Sequence, residues 1–229
     1  MSATKNENPY KVGHRDRLRR RFINHRKSLA DYELIELALF YVFRRVDTKK
    51  LAKNLLTKFK SLRNLIFADA TDIKKSPGLK DSSAIFFQLI HEILCRIEFE
   101  NIEDGPIIAS SEQVIKYYQS SLENLKKEQL HVMFLNNKNR LLAEEIIQTG
   151  TVNQAPFYPR EIIQKALDHG ASALILVHNH PSGDPQPSRQ DIIVTRHLND
   201  IAQKLDIMLL DHIIIGKSSY RSFRESDLF

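Results

Sequence analysis

Two histidines one residue apart, His178 and His180, close an apolar run, Ala173–Val177, and Asp191 follows His180 after ten intervening residues. On an extended chain alternate side chains share a face, so the two imidazoles project together while Asn179 points away. Neighbouring imidazoles at the end of a buried strand suit a divalent zinc ion. The segment Pro181–Pro187 holds three prolines and one glycine, which makes a stiff loop able to turn back sharply. It delivers Ser188 as the N-cap of a helix and Asp191 into the first helical turn, where a carboxylate also suits the helix dipole. A His, His, Asp set leaves the fourth tetrahedral position to water, the arrangement of a catalytic zinc site. Ser188-x-x-Asp191 reads equally as a capping box, and Pro181–Pro187 as an ordinary surface loop. Neither accounts for the conjunction of imidazoles ending an apolar strand, a rigid loop and an acidic helix start.

Other polar residues take a structural reading. His212, beside Asp211 in an apolar run, reads as a hydrogen-bonded structural histidine. His14, His25, His91, His131, His169 and His197 have no metal-type partner at useful spacing. Asp184 is a competing ligand only four residues past His180. Cys95 sits in a helical apolar pattern and reads as core.

The elements that must position the zinc ligands follow from periodicity. Ala173–Val177 is a strand buried on both faces, and Ser188–Leu205 a long amphipathic helix. Ile207–Ile215 is a further apolar strand, and Tyr220–Phe223 a last one. Upstream, Leu130–Leu135 and Leu141–Gln148 flank the turn Asn136–Asn139 as a hairpin. Pro159-Arg160-Glu161 opens a helix with proline at a favoured early position. Ser110-Ser111-Glu112-Gln113 offers a capping box for another. The first hundred residues carry only helical patterns, with Asp31 the expected N-cap of Tyr32–Phe43 and a break at Ser76-Pro77-Gly78. A polar stretch, Glu98–Pro106, reads as a linker. The expected fold class is therefore α+β: an all-helical domain over 1–100 and a mixed α/β domain over 107–229.

Composition bounds the rest. The 229 residues are 42% hydrophobic and 27% charged, ordinary for a soluble globular protein able to bury a core without staples. The single cysteine excludes an intramolecular disulfide and cysteine-rich metal sites, and it favours a reducing, cytoplasmic compartment. The N-terminal residues lack an apolar segment, so no secretory signal is expected, and Leu34–Phe43 is too short to span a bilayer. No membrane partner is therefore expected. Net charge is uneven: residues 1–100 hold 21 Lys and Arg against 12 Asp and Glu, five of the arginines between Arg15 and Arg21. That excess makes DNA a candidate partner of the N-terminal half, with a merely solvated basic face as the alternative.

The segments His178-Asn179-His180-Pro181-Ser182-Gly183 and Pro187-Ser188-Arg189-Gln190-Asp191 resemble the JAMM motif. More narrowly, the chain resembles the bacterial RadC family, whose C-terminal half is a JAB1/MPN-type metalloprotease domain. Leu142-Ala143-Glu144-Glu145, Thr149-Gly150-Thr151, Pro159-Arg160-Glu161 and Leu210-Asp211-His212-Ile213-Ile214 extend the likeness. Gly13-His14-Arg15, Asp31-Tyr32-Glu33-Leu34, Phe40-Tyr41 and Pro77-Gly78 carry it into the N-terminal half. The resemblance implies a three-layer, cytidine-deaminase-like zinc domain with one zinc held by His178, His180 and Asp191. It implies Glu145 as the water-activating base, Glu144 as a weaker candidate, and Ser188 as oxyanion donor. Hydrolysis of a peptide or isopeptide bond in a protein or peptide substrate would follow. Pro77-Gly78-Leu79-Lys80-Asp81 resembles a helix-hairpin-helix turn with Lys80 in place of its second glycine, and Tyr158 stands where relatives carry histidine. The competing reading is a DNA-associated, repair- or recombination-linked binding protein with a structural or vestigial zinc site.

Overall fold

The computed structural model describes residues 13–43, 46–103, 111–150 and 157–229. The chain divides into two compact units, Met1–Ile90 and His91–Phe229.

The first unit is helical throughout its described residues: α1 (His14–His25), a 3-10 turn, α2 (Asp31–Val42), α3 (Thr48–Phe59), α4 (Leu62–Ile66), α5 (Ala70–Lys74) and the start of α6 (Asp81–Glu103). Ile35 and Leu39 of α2 pack with Ala52 and Leu55 of α3, Leu65, Ile73, and Ala84 and Phe87 of α6. The N-cap of α2 is Ala30 rather than Asp31, and the Glu33 carboxylate accepts the Ala30 N–H (3.0 Å). Part of the arginine run is engaged in folding. Arg15 lies over the Phe40 ring and donates to the Phe43 and Val46 carbonyls, and Arg21 pairs with Glu33 at 2.8 Å. Glu98 to Glu103 extend α6 where the sequence suggested a linker, because Ile102 is fully buried in the second unit's core. Asp104 to Ser110, which complete that stretch and begin the expected capping box, lie outside the described residues.

The second unit is a five-stranded mixed sheet between helices. Its elements are α7 (Ser111–Leu122), β1 (Gln129–Leu135), β2 (Leu141–Thr149), α8 (Pro159–Asp168), β3 (Ala173–Asn179), α9 (Arg189–Gln203), β4 (Met208–Gly216) and β5 (Ser219–Ser222). Strand order is β2-β1-β3-β4-β5, with β3 and β4 parallel and the other pairs antiparallel. Strict alternation along the central strands sends Val132, Phe134, Leu174 and Leu176 toward α8 and α9. Met133, Leu135, Ile175 and Val177 face α7 on the other side. A strand clothed on both faces must be apolar throughout, which is why β3 reads as an unbroken hydrophobic run. Among the described residues no helix is long and apolar enough to cross a membrane.

The end of β4 supports the proline-rich loop. Gly183 (φ +87°) donates its N–H to the His180 carbonyl, and its own carbonyl accepts the Lys217 N–H at 2.8 Å. A Cβ at Gly216 would lie 2.6 Å from the Gly183 oxygen and 2.7 Å from Pro185 Cδ, both parts of a stiff loop. Gly216→Ala is therefore expected to cost about 1–3 kcal/mol by overpacking. It should lower the urea midpoint of the transition reporting the sheet-containing unit.

Candidate metal centre

His178 is the penultimate residue of β3 and shares the α9-facing side with Leu174 and Leu176. His180 follows the strand, held by its N–H to the Ile215 carbonyl (2.9 Å). The two Nε2 atoms approach to 3.0 Å. Asp191 arrives from the first turn of α9, its Oδ1 3.9 Å from His178 Nε2 and its Oδ2 3.7 Å from His180 Nε2. Ser188 and Asp191 form a reciprocal capping box: Asp191 N–H donates to Ser188 Oγ (3.1 Å), and Ser188 N–H donates to Asp191 Oδ2 (2.7 Å). The capping reading and the site reading thus describe the same two residues. A hydroxyl that accepts one bond keeps its own hydrogen to donate, and Ser188 is exposed.

Glu128 completes the cluster. Its Oε1 lies 4.0 Å from His178 Nε2, and with His178 and His180 it forms a group whose ligand atoms lie within 4.8 Å of one another. Asn179, 1% exposed, bonds the backbone beside this residue: its Oδ1 accepts the Gln129 N–H (2.9 Å), and its Nδ2 donates to the Lys127 carbonyl (3.1 Å). The backbone on both sides of Glu128 is thereby pinned to the residue between the two histidines. Glu128 stands unremarked in the sequence within Lys126-Lys127-Glu128-Gln129, a run that looks like a solvated turn. The signal that could have found it is topological: the start of a strand antiparallel to β3 must lie beside the end of β3.

Glu145 lies elsewhere. It belongs to edge strand β2, paired with Val132, so β1 separates it from β3. One carboxylate oxygen accepts from Lys165 and the other is bonded to His169 (2.6 Å), both on the α8 side. Glu144 faces the opposite layer and accepts from Tyr117, Tyr118 and His131. Both carboxylates expected at the site thus make their contacts elsewhere, and the carboxylate found beside the two histidines, with Asp191, is that of Glu128. Tyr158 is the N-cap of α8, with Arg160 over its ring, and Thr151 lies outside the described residues.

The donor set suits a divalent metal. Burial, reinforced by His180 and opposed by Asp191, pulls His178 down to about 4, so the ring is neutral at pH 7 with a lone pair to give. His180 is raised; burial works against its charge, but Asp191, the Asp184 carbonyl and Glu128 outweigh it. Its Nδ1–H donates to the Asp184 carbonyl (2.8 Å), which leaves Nε2 free to face the cluster. Asp184 thus contributes a backbone oxygen that orients His180. Burial would raise Asp191, yet His180, His178 and Ser188 together hold it well below the usual carboxylate range. Glu128 moves the other way: burial and the Asp191 charge raise it, against the pull of His180. Two carboxylates with opposite shifts thus stand beside the two imidazoles.

A family model described as the RadC-like JAB domain matches residues 108–228, just over half of the chain. The domain type fits a metal-dependent hydrolase, and the Glu128, His178, His180 cluster is a group that could hold a metal ion.

Lys165 and His169 lower the Glu145 pKa, so the folded state favours its carboxylate. The associated stability is present at neutral pH and is lost as pH falls through the carboxylate range. Glu145→Gln is expected to cost under about 1 kcal/mol at pH 7, as for a partly exposed pair. That cost should vanish near pH 3 in denaturation titrations run at both values.

Proposed function

The chain belongs to the RadC-like JAB domain family, and from that premise we propose that it is a zinc-dependent hydrolase acting on a peptide or isopeptide bond. The observation that carries the reading is the convergence of His178, His180 and Asp191 with Glu128, two strands and a helix start meeting at one point. Two imidazoles and one strongly acidic carboxylate are the donors zinc takes in open catalytic sites. His178, His180 and Asp191 would hold the ion, which when bound supplies an acidified water and a Lewis acid for the substrate carbonyl.

The chain's own residues carry the proton and the developing charge. Glu128, whose raised pKa brings it closer to the working range of a base, accepts a proton at its carboxylate and returns it to the leaving amine. Ser188 donates its hydroxyl hydrogen to the carbonyl oxygen as negative charge builds there. The Asn179 amide holds the backbone on either side of Glu128 beside the two imidazoles.

The test is metal content followed by turnover. The purified chain is expected to carry about one zinc, lost in His178→Ala and in Asp191→Ala. Glu128→Gln should retain the metal and lose about 10²–10⁴-fold in hydrolysis of a cleavable peptide found by library screening. Glu145→Gln should retain both. A wild-type chain that takes up no zinc, or full turnover in Glu128→Gln, overturns the assignment.

A second reading, compatible with the first, gives the helical unit DNA as its partner. It is supported by the helix–turn–helix passage from α5 to α6 around Gly78 (φ +84°), with Pro77, Gly78 and Lys80 exposed. Backbone N–H groups at such a turn suit a phosphate. A Cβ at Gly78 would also meet Leu51 Cδ2 at 2.7 Å, so packing alone already favours glycine there. Binding of duplex DNA by the full chain should weaken steeply between 50 and 200 mM salt, about tenfold or more for a few phosphate contacts. Salt-independent or absent binding in a mobility-shift titration removes this reading.

A further inference from the structure

Behind the metal centre, in the direction away from solvent, three polar side chains form a chain. His178 Nδ1 lies 2.7 Å from His212 Nε2, and His212 Nδ1 lies 2.7 Å from Thr195 Oγ1. His178 is 3% exposed, and His212 and Thr195 are wholly buried. Such groups are costly unless every one of them is satisfied. His212 comes from the middle of β4, where it is paired with Leu176 of β3, and Thr195 lies one helical turn beyond Asp191 on the same face of α9. The His212 ring stacks on Phe223 at 4.6 Å and meets Phe157 edge-on at 6.1 Å, which fixes the plane of the ring.

We propose that His212, backed by Thr195, is the positioning residue that fixes the ring orientation and tautomer of His178, leaving His178 Nε2 free for the metal. The inference rests on the reading of His178 as a metal ligand. A neutral imidazole carries one N–H and one lone pair. If His178 Nε2 gives its lone pair to a metal, its hydrogen stands on Nδ1 and requires an acceptor, and His212 Nε2 is placed to accept it. His212 then carries its own hydrogen on Nδ1 and requires a second acceptor, which is Thr195 Oγ1. Each assignment forces the next, and the chain ends on a hydroxyl that can accept. Each ring then carries one hydrogen, and every nitrogen of the pair has a partner. Partners of this kind tune the metal affinity of the imidazole they hold. An apolar residue at 212 would strand the His178 N–H and favour the tautomer whose Nε2 is blocked.

Zinc competition titrations of the full chain test this, alongside chelator-treated melting curves for each variant. His212→Phe keeps the ring stacking, and it is expected to weaken zinc binding about 10–100-fold. His212→Gln, whose amide oxygen reaches the place of Nε2, should recover most of that loss. Thr195→Val should weaken binding by less than His212→Phe does, and Thr195→Ser should match the wild type. Long-range ¹H–¹⁵N spectra of the zinc-loaded wild type should show both His178 and His212 protonated on Nδ1. A purely structural role would lower the melting temperature of the metal-free variants and leave zinc affinity and tautomers unchanged, and that result overturns the inference. If His212→Phe fails to fold, the Thr195 pair and the wild-type spectra decide. Wild-type protein that binds no zinc overturns the ligand assignment and this inference together. Zinc binding by wild type and His212→Phe alike overturns this inference alone.

Discussion

The antiparallel pairing of β1 with β3 is the constraint on which the candidate metal centre depends. It sets Leu130 opposite His178, and therefore brings the residue just before β1, Glu128, beside the residues that end β3. The pairing is fixed in register because both strands are buried on both faces: a slip of one residue would send every side chain of β3 to the wrong layer. Hydrophobic burial spread over two helical layers thus sets the position of four polar side chains where β3 ends beside the start of β1.

The tripeptide His178-Asn179-His180 shows how strand alternation is used. The histidines reach the same cluster, one from the end of the strand and one from the first residue past it. Asn179 faces away from the imidazoles, as alternation requires, yet its amide bonds the backbone on either side of Glu128. The two imidazoles and the backbone beside Glu128 are therefore held by three consecutive residues. A buried asparagine with no side-chain role would have been an expensive residue, since its amide needs partners on both its oxygen and its nitrogen.

What was legible in the sequence divides along local and non-local lines. The strand Ala173–Asn179, the stiff loop and the capped helix start at Ser188 all carry their signals within a few residues, so the meeting of His178, His180 and Asp191 could be drawn from spacing. The hairpin β1–β2 and the helix behind Pro159 were readable for the same reason. Glu145 lies apart from the histidine cluster because position within a strand says which face a residue takes, and says nothing of how many strands away the site lies. Glu145 is indeed on the face of the metal centre, but β1 intervenes and α8 supplies its partners. Glu128, in a charged turn, had no periodic signal. The extension of α6 through Glu103 was hidden by the polarity of Glu98, Glu100 and Asn101, against which a single buried residue, Ile102, outweighs the composition.

His212 was read as a satisfied structural histidine, and it is one: both ring nitrogens are bonded. The more useful question is what satisfies them. One partner is a metal-centre imidazole and the other a hydroxyl one turn along the helix from Asp191, so the same α9 that delivers a carboxylate to the front of the cluster delivers an acceptor to its back. An apolar residue of similar volume would pack against Phe157 and Phe223 at less desolvation cost. A buried imidazole at that position makes physical sense where the group it bonds must hold one proton at one place, and a ligand imidazole is such a group.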